Sequence, residues 1–324
     1  MKYFLILLTS LIIFTGCSSK KYFEVDDTLG DYESNSASLN DNIKSFNKVG
    51  ATLDNGEIIT KKGVSNFQLP EGFEFINLSE DTVISTNYLN KILLNKTEHE
   101  FSTGVVAATL KDNILALVFM DNSIALYDIN TKNILMKEYY SKSLANDTRI
   151  ANPYYMGSLI LFPTLDGKVI VVSSKSNKVI RTIVVDADSK FNNIIFLDVV
   201  NDTLIASSSN KVVSVGAGVV NLKEYNIRDI ISHGQDIFIA TIDGQIIKTD
   251  ISLNIQDRRK YKYAKFYALA YGSSLYALES QGYLINISND FKSDKIYDFS
   301  FDNEENVIAI DDIIYHNDEY FIVK

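Results

Sequence analysis

Turn dipeptides recur along this chain at a spacing that few folds accommodate. β-rich runs meet across Asp121-Asn122 in ILALVFM-DN-SIALYDI and across Asp166-Gly167 in LILFPTL-DG-KVIVVSS. The same pattern returns at Ser209-Asn210, Asp243-Gly244, Gln281-Gly282 and Asn317-Asp318. Tight primed turns need residues that tolerate φ > 0, so such pairs between β-rich runs mark hairpins. The turns start at 121, 166, 209, 243, 281 and 317, with spacings of 45, 43, 34, 38 and 36 and a mean near 39. A β-rich repeat of about 40 residues with a central hairpin is the pattern of four-stranded propeller blades. Asn87-Tyr88 in VISTNYLNKILL fits an earlier hairpin, 34 residues before the first. An all-β propeller over residues 49–324 follows, with room for seven blades and eight as the alternative count. A two-sheet sandwich or an irregular solenoid is the competing architecture.

The ends of the repeat bear on closure. The chain stops at Lys324, just after the second strand of a hairpin, which leaves the last blade one strand short. The β-rich segment VGATLDNGEIIT at 49–60 is expected to supply that strand. The ring would then be closed by an N-terminal strand within 49–62, hiding a sheet edge.

The N-terminus reads as an address. Met1-Lys2-Tyr3 precedes an apolar run from Phe4 to Phe14, and Thr15-Gly16-Cys17-Ser18-Ser19 follows. A positive residue, about a dozen apolar residues and a small-residue cleavage point make a secretory signal. A membrane-spanning helix needs about 20 apolar residues, and this run is shorter. Residues 18–48 are polar and lack a period, so 17–48 is expected to be a flexible tether. About 30 such residues reach roughly 30 Å as a random coil, enough to hold a domain clear of lipid headgroups.

The composition excludes several chemistries. With 41 Asp plus Glu against 31 Lys plus Arg, the net charge is −10 and offers no footprint for nucleic acid. Cys17 is the only cysteine, so no intramolecular disulfide, CxxC centre or Cys-rich zinc site can be built. His99, His233 and His316 are far apart in sequence, lack ligand spacing and read as surface or turn histidines. No GxSxG elbow or GxxxxGK[ST] loop occurs. Asp26-Asp27, Asp186-Ala-Asp188 and Asp302-Asn-Glu304-Glu305 could donate oxygens to calcium, but read as solvated turns. Asp128-Ile-Asn130-Thr-Lys132 opens like an EF-hand loop, yet Lys132 stands at a ligand position and the Gly and distal Glu are missing. No catalytic, cofactor-binding or metal residue is expected, and no cofactor.

Two resemblances sharpen this reading. Phe14-Thr15-Gly16-Cys17 resembles the bacterial lipobox, with Phe14 in place of the usual Leu. That resemblance implies cleavage after Gly16, so that 1–16 is the signal peptide, and lipidation of Cys17. It leaves 308 of the 324 residues in the mature chain. Ser18 after the cysteine resembles an outer-membrane sorting signal, which implies an outer-membrane lipoprotein on the periplasmic face, the surface face remaining open.

SIALYDINTKNILMK at 123–137 resembles the pyrroloquinoline-quinone-type propeller repeat, with Leu126, Asp128, Thr131 and Ile134 in corresponding places. Asn133 falls near the usual Gly, and Met136-Lys137 stand where the repeat ends in Trp. KVIVVSSKSNKVIRTIVV at 168–185 follows the same outline. A lipoprotein signal ahead of such a propeller is similar to the accessory propeller lipoprotein of the outer-membrane β-barrel assembly machinery. That family has eight blades and docking tryptophans; this chain has no Trp, and its 19 Tyr and 18 Phe would have to fill those gaps.

The resemblance implies a non-enzymatic, monomeric scaffold whose protein partners include the barrel-assembly core, with the membrane met through the lipid anchor. Quinone-dependent dehydrogenases of this class are longer and carry a vicinal disulfide that one cysteine cannot make. Two alternatives stand beside the scaffold: a surface-exposed lipoprotein that binds host or envelope ligands, and a degenerate propeller hydrolase or lyase.

Overall fold

Each turn dipeptide becomes the hairpin between the second and third strands of a four-stranded antiparallel sheet. The computed structural model describes residues 21–33, 36–143, 146–300, 304 and 306–324; residues 1–16, expected to be a signal, and Cys17 lie outside them. Among the described residues every regular element is a strand. Eight sheets form, so the blade count is eight rather than seven. Seven are continuous in sequence: blades 1 to 7 span 43–65, 74–100, 105–139, 154–184, 196–224, 227–260 and 266–298. Blade 8 combines 307–322 with a distant strand, Ala37–Ser38.

The closing strand is therefore N-terminal, as expected, but it is not in 49–62. Ala37 and Ser38 pair antiparallel with Tyr320 and Glu319, and the Leu39 amide donates to the Asp318 carbonyl at 2.6 Å. The segment 49–60 is instead the central hairpin of blade 1. Asp54-Asn55-Gly56 is its turn: Gly56 lies at φ +87° and donates to the Leu53 carbonyl at 2.9 Å, and Asn55 Oδ1 accepts the Glu57 amide. Counting that turn supplies the eighth blade.

Ring closure is written in the packing. Eight apolar clusters fill the eight seams between neighbouring blades, blade 8 against blade 1 included. This explains why the middle strands are apolar at nearly every position. In Ile114–Phe119 of blade 3, Leu115, Leu117 and Phe119 face blade 2, while Ala116 and Val118 face blade 4. The next strand, Ser123–Asp128, divides likewise: Ala125 and Tyr127 one way, Ile124 and Leu126 the other. A strand sandwiched on both faces loses the usual polar alternation. Aromatic rings take the place of tryptophan at several seams, such as Phe238, Phe266 and Phe291 between blades 6 and 7. Between blades 5 and 6 the buried side chains are all Ile, Val or Leu.

The hairpin glycines have a second duty. The carbonyls of Gly167, Gly244 and Gly282 accept the amides of Val185, Tyr261 and Phe299, which end the outer strands of blades 4, 6 and 7. At Gly167, φ is +79° and a Cβ would lie 1.8 Å from the Asp186 carbonyl oxygen, so no other residue fits that turn.

The described part of 17–48 is no flexible tether. Phe23 is buried in the seam between blades 6 and 7, edge-on to Tyr261 and Tyr283. Asp31 bridges in parallel to Asp298 on the outer strand of blade 7, the Leu29 and Tyr32 amides donate to Ile296 and Asp298, and Tyr32 packs against Phe321. Residues 22–32 thus form a strap over the blade 7 edge before the chain closes blade 8, and Ile43–Asn47 is already the inner strand of blade 1.

Candidate binding surface

The fourth strand of a blade has a neighbour on one edge only, so its sequence decides what the rim of the ring presents. In blades 3, 4 and 5 that strand is apolar and open. Asn133–Tyr139 exposes Ile134 (50%), Leu135 and Tyr139; Lys178–Val184 exposes Ile180 (56%) and Val184; Val219–Glu224 exposes Val219, Val220 (51%) and Leu222. Blade 7 differs because the strap covers its edge, and blade 6 because its outer strand Ile255–Lys260 reads IQDRRK. Clusters of exposed apolar side chains on open strand edges are the features expected of a protein-binding surface.

The surface begins in a groove between the rims of blades 2 and 3, a cavity of about 560 Å³. Its floor is aromatic: Phe101 lies edge-on to Phe119 at 5.6 Å and to Tyr127 at 5.1 Å between centroids. His99, on the outer strand of blade 2, turns inward and meets the Tyr127 hydroxyl through Nδ1 at 3.1 Å. Burial, aided by the Lys132 charge, pushes the His99 pKa below its ordinary value, so the ring is neutral near pH 7. Glu98, Glu100, Lys132 and Lys137 rim the groove. Lys137 Nζ sits 4.7 Å from the Phe119 ring centroid and 5.1 Å from that of Tyr139. The arrangement can seat an apolar or aromatic side chain under a polar rim, and an extended segment can continue along the open strand edge.

The central channel is built differently. Lys48, just past the inner strand of blade 1, bonds Asp229 of blade 6 at 2.5 Å, and Asp229 also accepts the Leu269 amide of blade 7. Arg149 pairs with Asp147 at 2.6 Å and donates to the Arg228 carbonyl. Burial opposes charge on Asp147, but bonds from Arg149 and Ser209 outweigh it and hold its carboxyl below the usual range. These cations and carboxylates satisfy one another across the bore, so they brace the ring.

Two of the three histidines fall elsewhere than expected: His99 and His316 are buried, whereas His233 is exposed beside the turn at Gly234, as expected, and is stacked on Tyr271 at 3.8 Å. Asp186 is a buried acceptor, not a solvated turn: it takes bonds from Ser208 Oγ, Asn210 and the amides of Asp188 and Ser189. Asp128 caps its hairpin by accepting the Asn130 and Thr131 amides. Among the described residues, no three His, Cys, Asp or Glu side chains converge as a metal site. The three histidines lie in different blades and are not brought together. Sequence reasoning missed the groove and the rim; the signal in hand was the apolar content of every fourth strand in blades 3 to 5.

No protein-family model matches the chain. The chain is 31% identical over 351 residues to the plasminogen-binding protein PgbB of Helicobacter pylori strain J99, and 31% over 350 residues to that of strain 26695. Each match covers 91% of this chain and 64% of the relative, so the chain spans under two thirds of the relatives' length. Among solved structures, BamB from Moraxella catarrhalis superposes with a TM-score of 0.67 at 13% identity, covering 90% of this chain and 98% of that one. The C-terminal WD40 domain of Sif2 gives 0.64 at 11% identity, covering 91% and 99%. The designed protein Ika8 gives 0.59 at 12%, also covering 91% and 99%. The chain thus has a BamB-like propeller fold, and none of these relatives is named for an enzymatic activity.

Proposed function

We propose that this chain is a lipid-anchored, non-catalytic propeller that binds a protein ligand along the rim of blades 2 to 5. The observation that carries it is the row of exposed apolar side chains on the outer strands of three successive blades, Ile134, Ile180 and Val220, the first of them lining the aromatic groove. The likeness to a plasminogen-binding protein over 91% of the chain makes plasminogen the first ligand to test and supports the surface-binding reading. Lipidation of Cys17 and placement at the outer membrane belong to the same proposal. Surface plasmon resonance of the purified chain over immobilised plasminogen tests it. Saturable binding that falls at least tenfold in Ile134→Asp and Ile180→Asp is expected, since each buries a charge in an apolar contact. Binding unchanged by both substitutions moves the site off this rim.

A second reading, a scaffold for outer-membrane barrel assembly, draws support from the BamB-like fold. Affinity capture from gently solubilised outer membranes separates the two. Recovery of the barrel-assembly core favours the scaffold, and recovery of the chain without it favours the surface-binding reading.

A further inference from the structure

We infer that the turn joining blades 6 and 7, with the start of the strap, is a contact surface for anionic phospholipid headgroups that seats the ring with this rim toward the membrane. The inference rests on the lipid-anchor reading above and adds an orientation to it.

The first argument is reach. The chain becomes part of the fold at Phe23, only six residues after Cys17, where its ring is locked against Tyr261 and Tyr283. A fully extended chain covers at most about 3.6 Å per residue, so Lys21 lies within roughly 14 Å of the lipidated position and Phe23 within roughly 22 Å. The apolar run ending at Phe14 adds only three residues to that distance. Whichever element enters the lipid, this rim is held near the headgroups.

The second argument is charge and chemistry at that spot. In a chain of net charge −10, the turn carries Lys260, Lys262 and Lys265, all exposed, and Lys21 joins them from the strap. Lys21 and Lys262 flank Tyr263, with ammonium groups 5.5 and 5.1 Å from its ring centroid, and Tyr263 is 39% exposed. Among the described residues, Lys21, Lys262 and Lys265 have no ion-pair partner.

Several nearby carboxylates are engaged, while Glu24 and Asp26 on the strap are exposed without an ion pair among the described residues. Asp243 pairs with Lys260, Asp294 with Arg259, and Glu279 is fully buried and accepts the Lys265 and Gln281 amides. Glu24 and Asp26 follow on the strap beside Arg258 and Arg259, while Asp257 lies further back on the outer strand of blade 6. Exposed lysines around tyrosines are the pairing suited to an anionic interface, with cations at phosphate level and amphipathic rings at the boundary. The seam between blades 6 and 7 lies half a ring from that between blades 2 and 3, so this orientation turns the groove away from the membrane.

The test uses the full-length lipidated chain in vesicles of phosphatidylglycerol and phosphatidylcholine. Because the chain has no tryptophan, Tyr263→Trp and Tyr139→Trp each introduce a single indole, at the proposed surface and on the blade 3 rim. The indole at 263 should be quenched by headgroup-labelled lipid at least threefold more than that at 139. That difference should collapse in pure phosphatidylcholine and in the Lys21→Glu/Lys262→Glu/Lys265→Glu background. Lysine-reactive footprinting of the unsubstituted chain gives the same comparison without mutation, with Lys262 protected and Lys178 labelled. Equal water accessibility at both sites, by either readout, overturns the inference. The anchor reading is scored separately by sedimentation of Cys17→Ser with vesicles. If that variant is released while 263 is as wet as 139 in the lipidated chain, the contact surface alone is wrong. If it stays bound, the lipidation reading fails, while quenching at 263 still supports the surface.

Discussion

Two leucines on one N-terminal segment decide whether that segment closes the ring. Leu39 follows the closing strand and is 6% exposed, packed in the seam between blades 8 and 1 with Ile43, Ile308, Ile310 and Tyr315. Leu29 lies ten residues earlier on the strap and is 64% exposed, its amide bonded to the Ile296 carbonyl. Leu39→Ala removes three buried carbons, about 2.4 kcal/mol at ~0.8 kcal/mol per methylene, and leaves a cavity lined by isoleucines that cannot fully collapse. A loss of about 3 kcal/mol is expected, which for a chain of this size lowers the Tm by roughly 5 °C. Leu29→Ala keeps its backbone bond and should cost under about 0.5 kcal/mol. Urea titration followed by circular dichroism, with a thermal scan, measures both. Two silent substitutions would mean that the segment is a tether and that the seam is held without it. Two equally damaging ones would point to a general effect of altering the segment, not to the seam.

Gly167→Ala drives a Cβ into the Asp186 carbonyl and should cost about 2–3 kcal/mol, whereas Gly72→Ala, at φ +81° with nothing within 4 Å, should cost about 1 kcal/mol; chemical denaturation ranks the pair. Asp229→Ala strands the Lys48 ammonium and the Leu269 amide and should destabilise by about 2 kcal/mol, with Lys48→Met/Asp229→Leu recovering part of it in a double-mutant cycle. Burial depresses the pKa of both His99 and His316, so the folded state resists their protonation. Their contribution to stability is present above the ordinary histidine value near 6.5 and is lost as the pH falls below it, because the unfolded chain then binds more protons. His99→Gln/His316→Gln should therefore flatten the stability–pH profile just below pH 6.5, and a profile as steep as the parent's would contradict the buried placement.

The hairpin turns and the repeat length were legible because each depends on neighbouring residues, whereas closure was assigned to 49–62 because the true closing strand, Ala37–Ser38, pairs with residues about 280 positions away. Asp54-Asn55-Gly56 was equally visible, but treating 49–60 as one extended strand absorbed the turn and with it a blade. The strap was not legible. Phe23 is a lone ring in a polar stretch, and its burial depends on Tyr261 and Tyr283, more than 230 residues away. The binding rim was hidden for a related reason. Ile134, Ile180 and Val220 look in sequence like the buried residues of neighbouring strands, and only their position outermost in the blade leaves them without a cover. His99 was misplaced because the tyrosine that receives it lies in the next blade.

The pairing of Ala37 with Tyr320 sets an order of events during folding. The first seven blades are each continuous in sequence, so each can form its sheet as soon as its own residues are available. The eighth sheet cannot form until residues 307–322 have been made. Closing a loop of about 280 residues also costs roughly 3 kcal/mol more in chain entropy than closing a ten-residue hairpin. The seam between blades 8 and 1 is thus the last to lock and the first to open, a slow gate with high contact order on an otherwise local fold. A chain that stalls before this step exposes the apolar faces of blades 1 and 8 together with the unpaired edge of Glu319–Ile322, the surface through which two half-finished rings would join end to end.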